Sequence, residues 1–238
     1  MKSIQQNHRS KISTGRVAAL LSGFMACSAH AGMMDDPTVS KLTVNHLEIS
    51  NQDHNPVHWD ADFWVKQYLD KLVLRSAGES AQGQSHSQNS LLYGRAITPF
   101  WDVEFGLGHD IYEQKSHNWG IVGLSGLAPY FFETQVQALV DGDGKAGVRL
   151  MGEYDALLTQ KWILSPEIEI AAYSDDIPEI GLGSGLSSMS LGLRLRYEIK
   201  RELAPYVGVE WHKLYGDTAK FQNEDQQTSL VAGIRFWF

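Results

Sequence analysis

The stretch "SMSLGLRLRYEI", residues 188–199, alternates with a period of two from end to end. Met189, Leu191, Leu193, Leu195, Tyr197 and Ile199 fall on one face; Ser190, Gly192, Arg194, Arg196 and Glu198 fall on the other. That period belongs to a β-strand, whose successive side chains point to opposite faces of a sheet. Two arginines and a glutamate in mid-strand narrow the choice of sheet. A soluble sandwich turns its apolar face inward, whereas a membrane barrel turns it to lipid and lines its lumen with the polar face. Mid-strand arginine and carboxylate suit a narrow interior, where they pair in bidentate fashion.

The same pattern recurs along the chain. "WDVEFGLGHD" (101–110) sets Trp101, Val103, Phe105 and Leu107 against Asp102, Glu104, Gly106 and Gly108. "GVRLMGEYD" (147–155) opposes Val148, Leu150 and Tyr154 to Arg149, Glu153 and Asp155. "PEIEIAAY" (166–173) opposes Ile168 and Ile170 to Glu167 and Glu169, and "VGVEWHK" (207–213) opposes Val207, Val209 and Trp211 to Glu210 and His212. Strands are predicted at 68–76, 89–98, 100–111, 117–128, 131–140, 146–158, 162–174, 187–200, 205–215 and 228–238. Short connections such as "ITPFW" (97–101) and "LAPYFF" (127–132) alternate with mostly longer polar ones such as "SDDIPEIGLGSG" (174–185) and "GDTAKFQNEDQQ" (216–227). Short turns on one side, longer loops on the other and an even strand number describe an antiparallel outer-membrane β-barrel of about ten strands. The polar face then becomes a lumenal charge network of Arg149, Glu153, Glu167, Glu169, Arg194, Arg196, Glu198, Glu210 and Arg235. Phe100, Trp101, Tyr130, Phe131, Phe132, Trp162, Tyr206, Trp237 and Phe238 lie near the short turns and suggest an aromatic girdle.

The ends of the chain agree with export. Lys2, Arg9, Lys11 and Arg16 precede the apolar run "VAALLSGFMAC" (17–27), and Ala29-His30-Ala31 makes a small-x-small cleavage pattern. Residues 1–31 therefore read as a signal peptide, cut before Gly32. Its removal takes away four positive charges and no negative ones, so the formal charge goes from −8 to −12. It also removes Cys27, the single cysteine, and with it any thiolate chemistry. No later stretch approaches the roughly 20 apolar residues of a membrane helix. Residues 32–58 are polar and weakly periodic, and are expected to form a flexible periplasmic lead-in before a barrel at 59–238. The other end, "AGIRFWF", alternates up to its final aromatic residue and reads as a closing strand.

Catalytic signatures are missing: no H-E-x-x-H, G-x-S-x-G or P-loop pattern occurs, and no enzyme is expected. A protease reading would need Asp110, Asp175, Asp176 and His117 at a rim, where acids and a histidine are ordinary solvated groups. The acidic charge and lack of a basic cluster argue against nucleic acid. "DGDGK" (141–145) lacks the remaining ligands of a calcium loop and reads as a hairpin turn. Metal chemistry has one candidate segment. His54 and His58 lie four apart in "DHNPVHWD", with His46, Met33 and Met34 upstream; imidazole and thioether suit copper as Cu(I) or Cu(II).

Five segments, "WDADFWVKQYLDKLVLRSAGE", "LLYGRAITPFWDVEFGLGHD", "LLTQKWILSPEIEI", "IPEIGLGSGLSSMSLGLRLRYEIKRELAPYVGVEW" and "VAGIRFWF", resemble the copper resistance protein B (CopB/PcoB) family. The resemblance runs from about Asp60 to Phe238. It implies a barrel in the outer membrane of a Gram-negative bacterium, acting in copper resistance and homeostasis by sequestration or assisted efflux, with copper as its ligand. It further implies contact with lipid and with the outer-membrane insertion machinery, which reads the terminal Phe. Both termini would be periplasmic, and a periplasmic multicopper oxidase is a candidate partner that the barrel would anchor if it bound no copper tightly itself. Members often carry a Met- and His-rich segment before the barrel; here that segment is short.

Intact-mass analysis of the membrane-inserted protein should return a chain beginning at Gly32. Retention of residues 1–31 would overturn the signal-peptide reading.

Overall fold

The computed structural model describes residues 37–52, 54–81, 84–113, 115–222 and 225–238. Each predicted strand is present, and two more precede them. The strands are β1 (Val39–Ser50), β2 (Val57–Gln67), β3 (Asp70–Ala81), β4 (Gln84–Thr98), β5 (Trp101–Tyr112), β6 (Lys115–Ala128), β7 (Phe132–Val140), β8 (Ala146–Glu153), β9 (Ala156–Leu157), β10 (Trp162–Tyr173), β11 (Gly185–Tyr197), β12 (Leu203–Leu214) and β13 (Gln226–Trp237). β9 is a two-residue continuation of β8, and both pair with β10. Every pairing is antiparallel, and β1 pairs with β13, so twelve strand positions close into a ring. Closure leaves no edge and satisfies each strand's backbone within the wall, as lipid requires. Among the described residues no helix is long and apolar enough to cross a membrane.

The lead-in expectation for 32–58 is corrected by β1 and β2: the wall begins at Val39, not Trp59. A β-bulge hid the first of these strands. Leu42 and Val44 pair with Phe63 and Ala61 on the outer face; beyond the bulge it is Leu47 and Ile49, paired with Trp59 and Val57, that face out. The extra residue shifts the alternation from even to odd positions, so no single period-two phase spans 39–50.

The outer face is apolar, as the sequence predicts. Leu191, Leu193, Val207, Val209, Leu230 and Ile234 all lie open on it. On β3–β6 the limit of this band is one cross-strand row wide. Leu74, Leu91 and Leu107 form one row, and two residues nearer the loops Ser76, Asn89, His109 and Asn118 form the next. Asn89 accepts a hydrogen bond from Ser76 at 2.9 Å, and His109 and Asn118 bond each other at 2.7 Å. The switch from leucine to amide and hydroxyl sets the lipid boundary. The terminus is held on both sides: Leu42 N–H donates to the Phe238 carbonyl at 3.0 Å and Phe238 N–H to the Leu42 carbonyl at 2.9 Å.

The two longest loop-end connections fold together over the mouth. Between β10 and β11, Ile177 and Leu182 form an antiparallel bridge around a 3-10 turn at Pro178–Ile180. Ile177 is fully buried and Ile180 nearly so, in one apolar cluster with Trp119, Leu139 and Tyr173. Between β12 and β13, helix α1 (Gly216–Gln222) carries Thr218, whose Oγ1 accepts from Gly183 N–H at 2.8 Å and bonds Ser187 at 2.9 Å. A Cβ on Gly183 would lie 2.5 Å from the Thr218 nitrogen, so this approach requires glycine. The "DGDGK" segment is the expected hairpin turn, with Asp141 Oδ1 accepting from the Asp143 and Lys145 amides at 2.8 Å each. Burial pushes the Asp141 carboxyl up, but those two amides and His117 outweigh it and hold it below the usual carboxylate range.

Ile177→Asp should release the cap. Limited proteolysis of the folded barrel is expected to cut within 174–184 in the variant and to leave the parent intact; equal resistance would show that the cap does not depend on this side chain.

Candidate functional site

The bulge in β1 does more than shift a register. It turns two consecutive side chains, Asn45 and His46, into the lumen. Asn45 Nδ2 donates to Asp60 at 2.9 Å and to Asp62 at 3.0 Å. His46 lies 3.7 Å from Glu167 and edge-on to Tyr206. His58, opposite Glu48 in register, sits 3.9 Å from Glu79; its buried Nε2 has no hydrogen-bond partner among the described residues. His54 lies apart, in the turn between β1 and β2, at φ +73°. Met33 and Met34 lie outside the described residues. Thus His46 and His58 share one region of lumenal wall, and His54 does not join them there. Among the described residues no three His, Cys, Asp or Glu side chains are gathered closely enough to hold a metal ion.

Arg194 is the centre of the charge network. Its guanidinium donates to Glu48 in bidentate fashion at 3.0 and 2.8 Å, to Glu167 at 2.6 Å and to Glu210 at 3.4 Å. Tyr206 donates its hydroxyl to Glu48 at 2.8 Å. Two glycines make the space. A Cβ on Gly192 would lie 2.4 Å from Arg194 Nη1, and one on Gly233 would lie 2.7 Å from the Tyr206 hydroxyl. Nearer the termini Arg196 pairs with Glu153 and Asp155, and Arg235 reaches Glu153 at 3.0 Å. On the other side of the barrel Arg75 binds Glu104 bidentately at 2.7 and 3.0 Å, and Lys71 joins Glu104 and Asp102. Near the loops Arg149 pairs with Asp110, which also accepts from Trp119 at 2.8 Å.

Seven of the nine network residues predicted from the sequence are ion-paired in this way. Glu198 is a correction: it lies beyond the end of β11 and makes no ion pair among the described residues. Glu169 is lumenal but makes neither a hydrogen bond nor an ion pair among the described residues. Tyr206 is corrected too, from the girdle to the buried lumen. Glu48 was hidden in the supposed lead-in. The four groups of the protease reading are each engaged separately: Asp110 with Arg149, His117 with Asp141, Asp175 with Ser174, and Asp176 with the Ser184 amide.

Between the charge network and the cap lies a cavity of about 190 Å³. Asp60, Asp62, Asp110 and Glu169 line it against Arg75 and Arg149, with His212 and Met151 also on its wall. Among the described residues Asp110 and Asp62 have arginine partners, Asp60 has only an amide, and Glu169 has no hydrogen bond or ion pair. The surplus is therefore negative, and in a low-dielectric enclosure such a surplus favours cations.

The family model described as "Copper resistance protein B precursor (CopB)" matches residues 38–238. The chain belongs to the copper resistance protein B family. It is 42% identical over 203 residues to "Copper resistance protein B" of Escherichia coli, covering 83% of this chain and 69% of that protein. To the "Copper resistance protein B homolog" of Pseudomonas syringae pv. tomato it is 36% identical over 219 residues, covering 89% and 74%. Among solved structures it resembles the NanC porin (TM-score 0.51, 12% identity, 83% of this chain and 99% of that one). It also resembles the outer membrane phospholipase dimer of Salmonella typhi with bound calcium (TM-score 0.50, 13% identity, 87% and 94%). Those two likenesses speak to the outer-membrane barrel fold alone. In this member of the copper resistance protein B family the match begins where β1 begins, so the wall built by β1 is part of what the family model covers.

Arg194→Ala leaves Glu48 and Glu167 buried without their cation, which costs on the order of 3–5 kcal/mol in other buried pairs. The heat-modifiability transition on gels should fall clearly, and Arg194→Ala with Glu48→Ala should lose less than the two single losses combined. Additive losses would refute the coupling.

Proposed function

We propose that this protein is an outer-membrane barrel of copper resistance that takes copper ions into its lumen and holds them there. Both termini lie on the periplasmic side and the capped loops face outward, as short turns and long loops do in such barrels. The observation that carries the reading is the negative cavity lined by Asp60, together with the lumenal imidazoles of His46, opposite Asp60 in register, and His58, two residues before it on β2. Imidazole is a good ligand for copper, and the free Nε2 of His58 supplies a donor with no competing partner. Salt bridges below and the apolar cap above support retention over free flow. Met33, Met34 and His54 are additional copper ligands. Copper held in this way lowers the concentration of free ions in the periplasm.

Titration of the detergent-solubilised mature chain with Cu(I) and Cu(II) tests this. The parent should bind more tightly than a porin control, and His46→Gln with His58→Gln should weaken binding by about tenfold or more. Parent binding no tighter than the porin would overturn the reading.

A further inference from the structure

The register places a second set of donors on the wall of the cavity itself. Reading across β7, β8, β10, β11 and β12, the lumenal row is Gln135, Met151, Glu169, Ser190 and His212. Directly opposed residues in an antiparallel pair have Cβ atoms about 4.5–5.5 Å apart. Met151 and Glu169 are such a pair. Ser190 separates Glu169 from His212, and its short side chain is turned away to Glu210 at 3.0 Å, which leaves the space above it open. Among the described residues Glu169 faces the cavity with no hydrogen bond and no ion pair, whereas Asp62 and Asp110 on the same wall are paired with Arg75 and Arg149. Met151 and His212 likewise make no side-chain hydrogen bond among the described residues, and all three side chains line the cavity.

We infer that Met151, Glu169 and His212 form a binding site for a copper ion, distinct from the His46–His58 wall. The inference rests on the reading that the lumen takes copper, and adds where and through which donors. A thioether, a carboxylate and an imidazole offer one ligand each to soft and borderline ions; the thioether favours Cu(I) and the carboxylate excludes no divalent state. A closed group of three His or acidic residues is not needed, because the sulfur supplies the third ligand. Arg149 and Arg75 on the same cavity wall set the limit of positive charge the site tolerates, and favour a monovalent ion over an accumulating divalent cluster.

The test uses the full mature chain in detergent with Cu(I) as probe. X-ray absorption should show Cu–S scattering in the parent. That signal should persist in Met33→Leu/Met34→Leu and should vanish when Met151→Leu is added to that background. Cu(I) affinity should fall at least about tenfold in Met151→Leu, Glu169→Gln and His212→Gln, with the His46→Gln/His58→Gln background unchanged in Cu–S scattering. Copper binding by the parent with no sulfur signal, or unaltered in Met151→Leu, would overturn this site while leaving the copper reading intact. A parent that binds no copper would overturn both. Should Glu169→Gln not fold, Met151→Leu, which keeps volume and shape, decides the matter.

Discussion

Arg194 holds together strands that the chain brings in from its two ends. Its partners Glu48, Glu167 and Glu210 come from β1, β10 and β12, and Tyr206 reinforces Glu48 from β12. β1 is the strand on which ring closure depends, because it must pair with β13 across nearly the whole sequence. The backbone pairing alone does not specify register, since neighbouring registers offer as many hydrogen bonds. The Glu48–Arg194 contact supplies that specificity. A slip by one residue would turn Glu48 into lipid, where an isolated charge costs several kcal/mol. The two glycines belong to the same device, since either with a side chain would push the arginine or the tyrosine out of place.

How much of this could be read from residues follows from one rule of parity. Where a strand keeps a single phase, as β11 does from Met189 to Tyr197, both faces and the fate of Arg194 and Arg196 are legible. Where a bulge flips the phase, the strand disappears from view, and β1 was lost with Glu48 inside it. β2 was half legible, since Val57, Trp59, Ala61, Phe63 and Val65 alternate, but lumenal Trp64 blurs its polar face. The candidate site suffered in the same way. His46 and His58 were recognisable as possible ligands by type and spacing. Their location in a barrel wall was not, because a tail and a strand with a bulge have similar local composition. Pairings such as Arg75 with Glu104 bring distant positions together, and only register reveals which carboxylate meets which arginine. The cap is a further case: nothing in "SDDIPEIGLGSG" announces that Ile177 and Ile180 turn inward rather than stand out in a polar loop.

Charge is distributed along the lumen in a way that bears on what the interior can hold. Toward the termini, Arg194, Arg196 and Arg235 are each matched with acids, and Lys71 and Arg75 share Glu104. In the middle the match is looser: among the described residues Asp60 accepts only from Asn45, and Glu169 makes no hydrogen bond or ion pair, with Arg149 on the same cavity wall. The paired end fixes the ring, and the looser middle leaves a cavity lined by more carboxylates than arginines. The cap is held by apolar contacts of Ile177 and Ile180 rather than by charge.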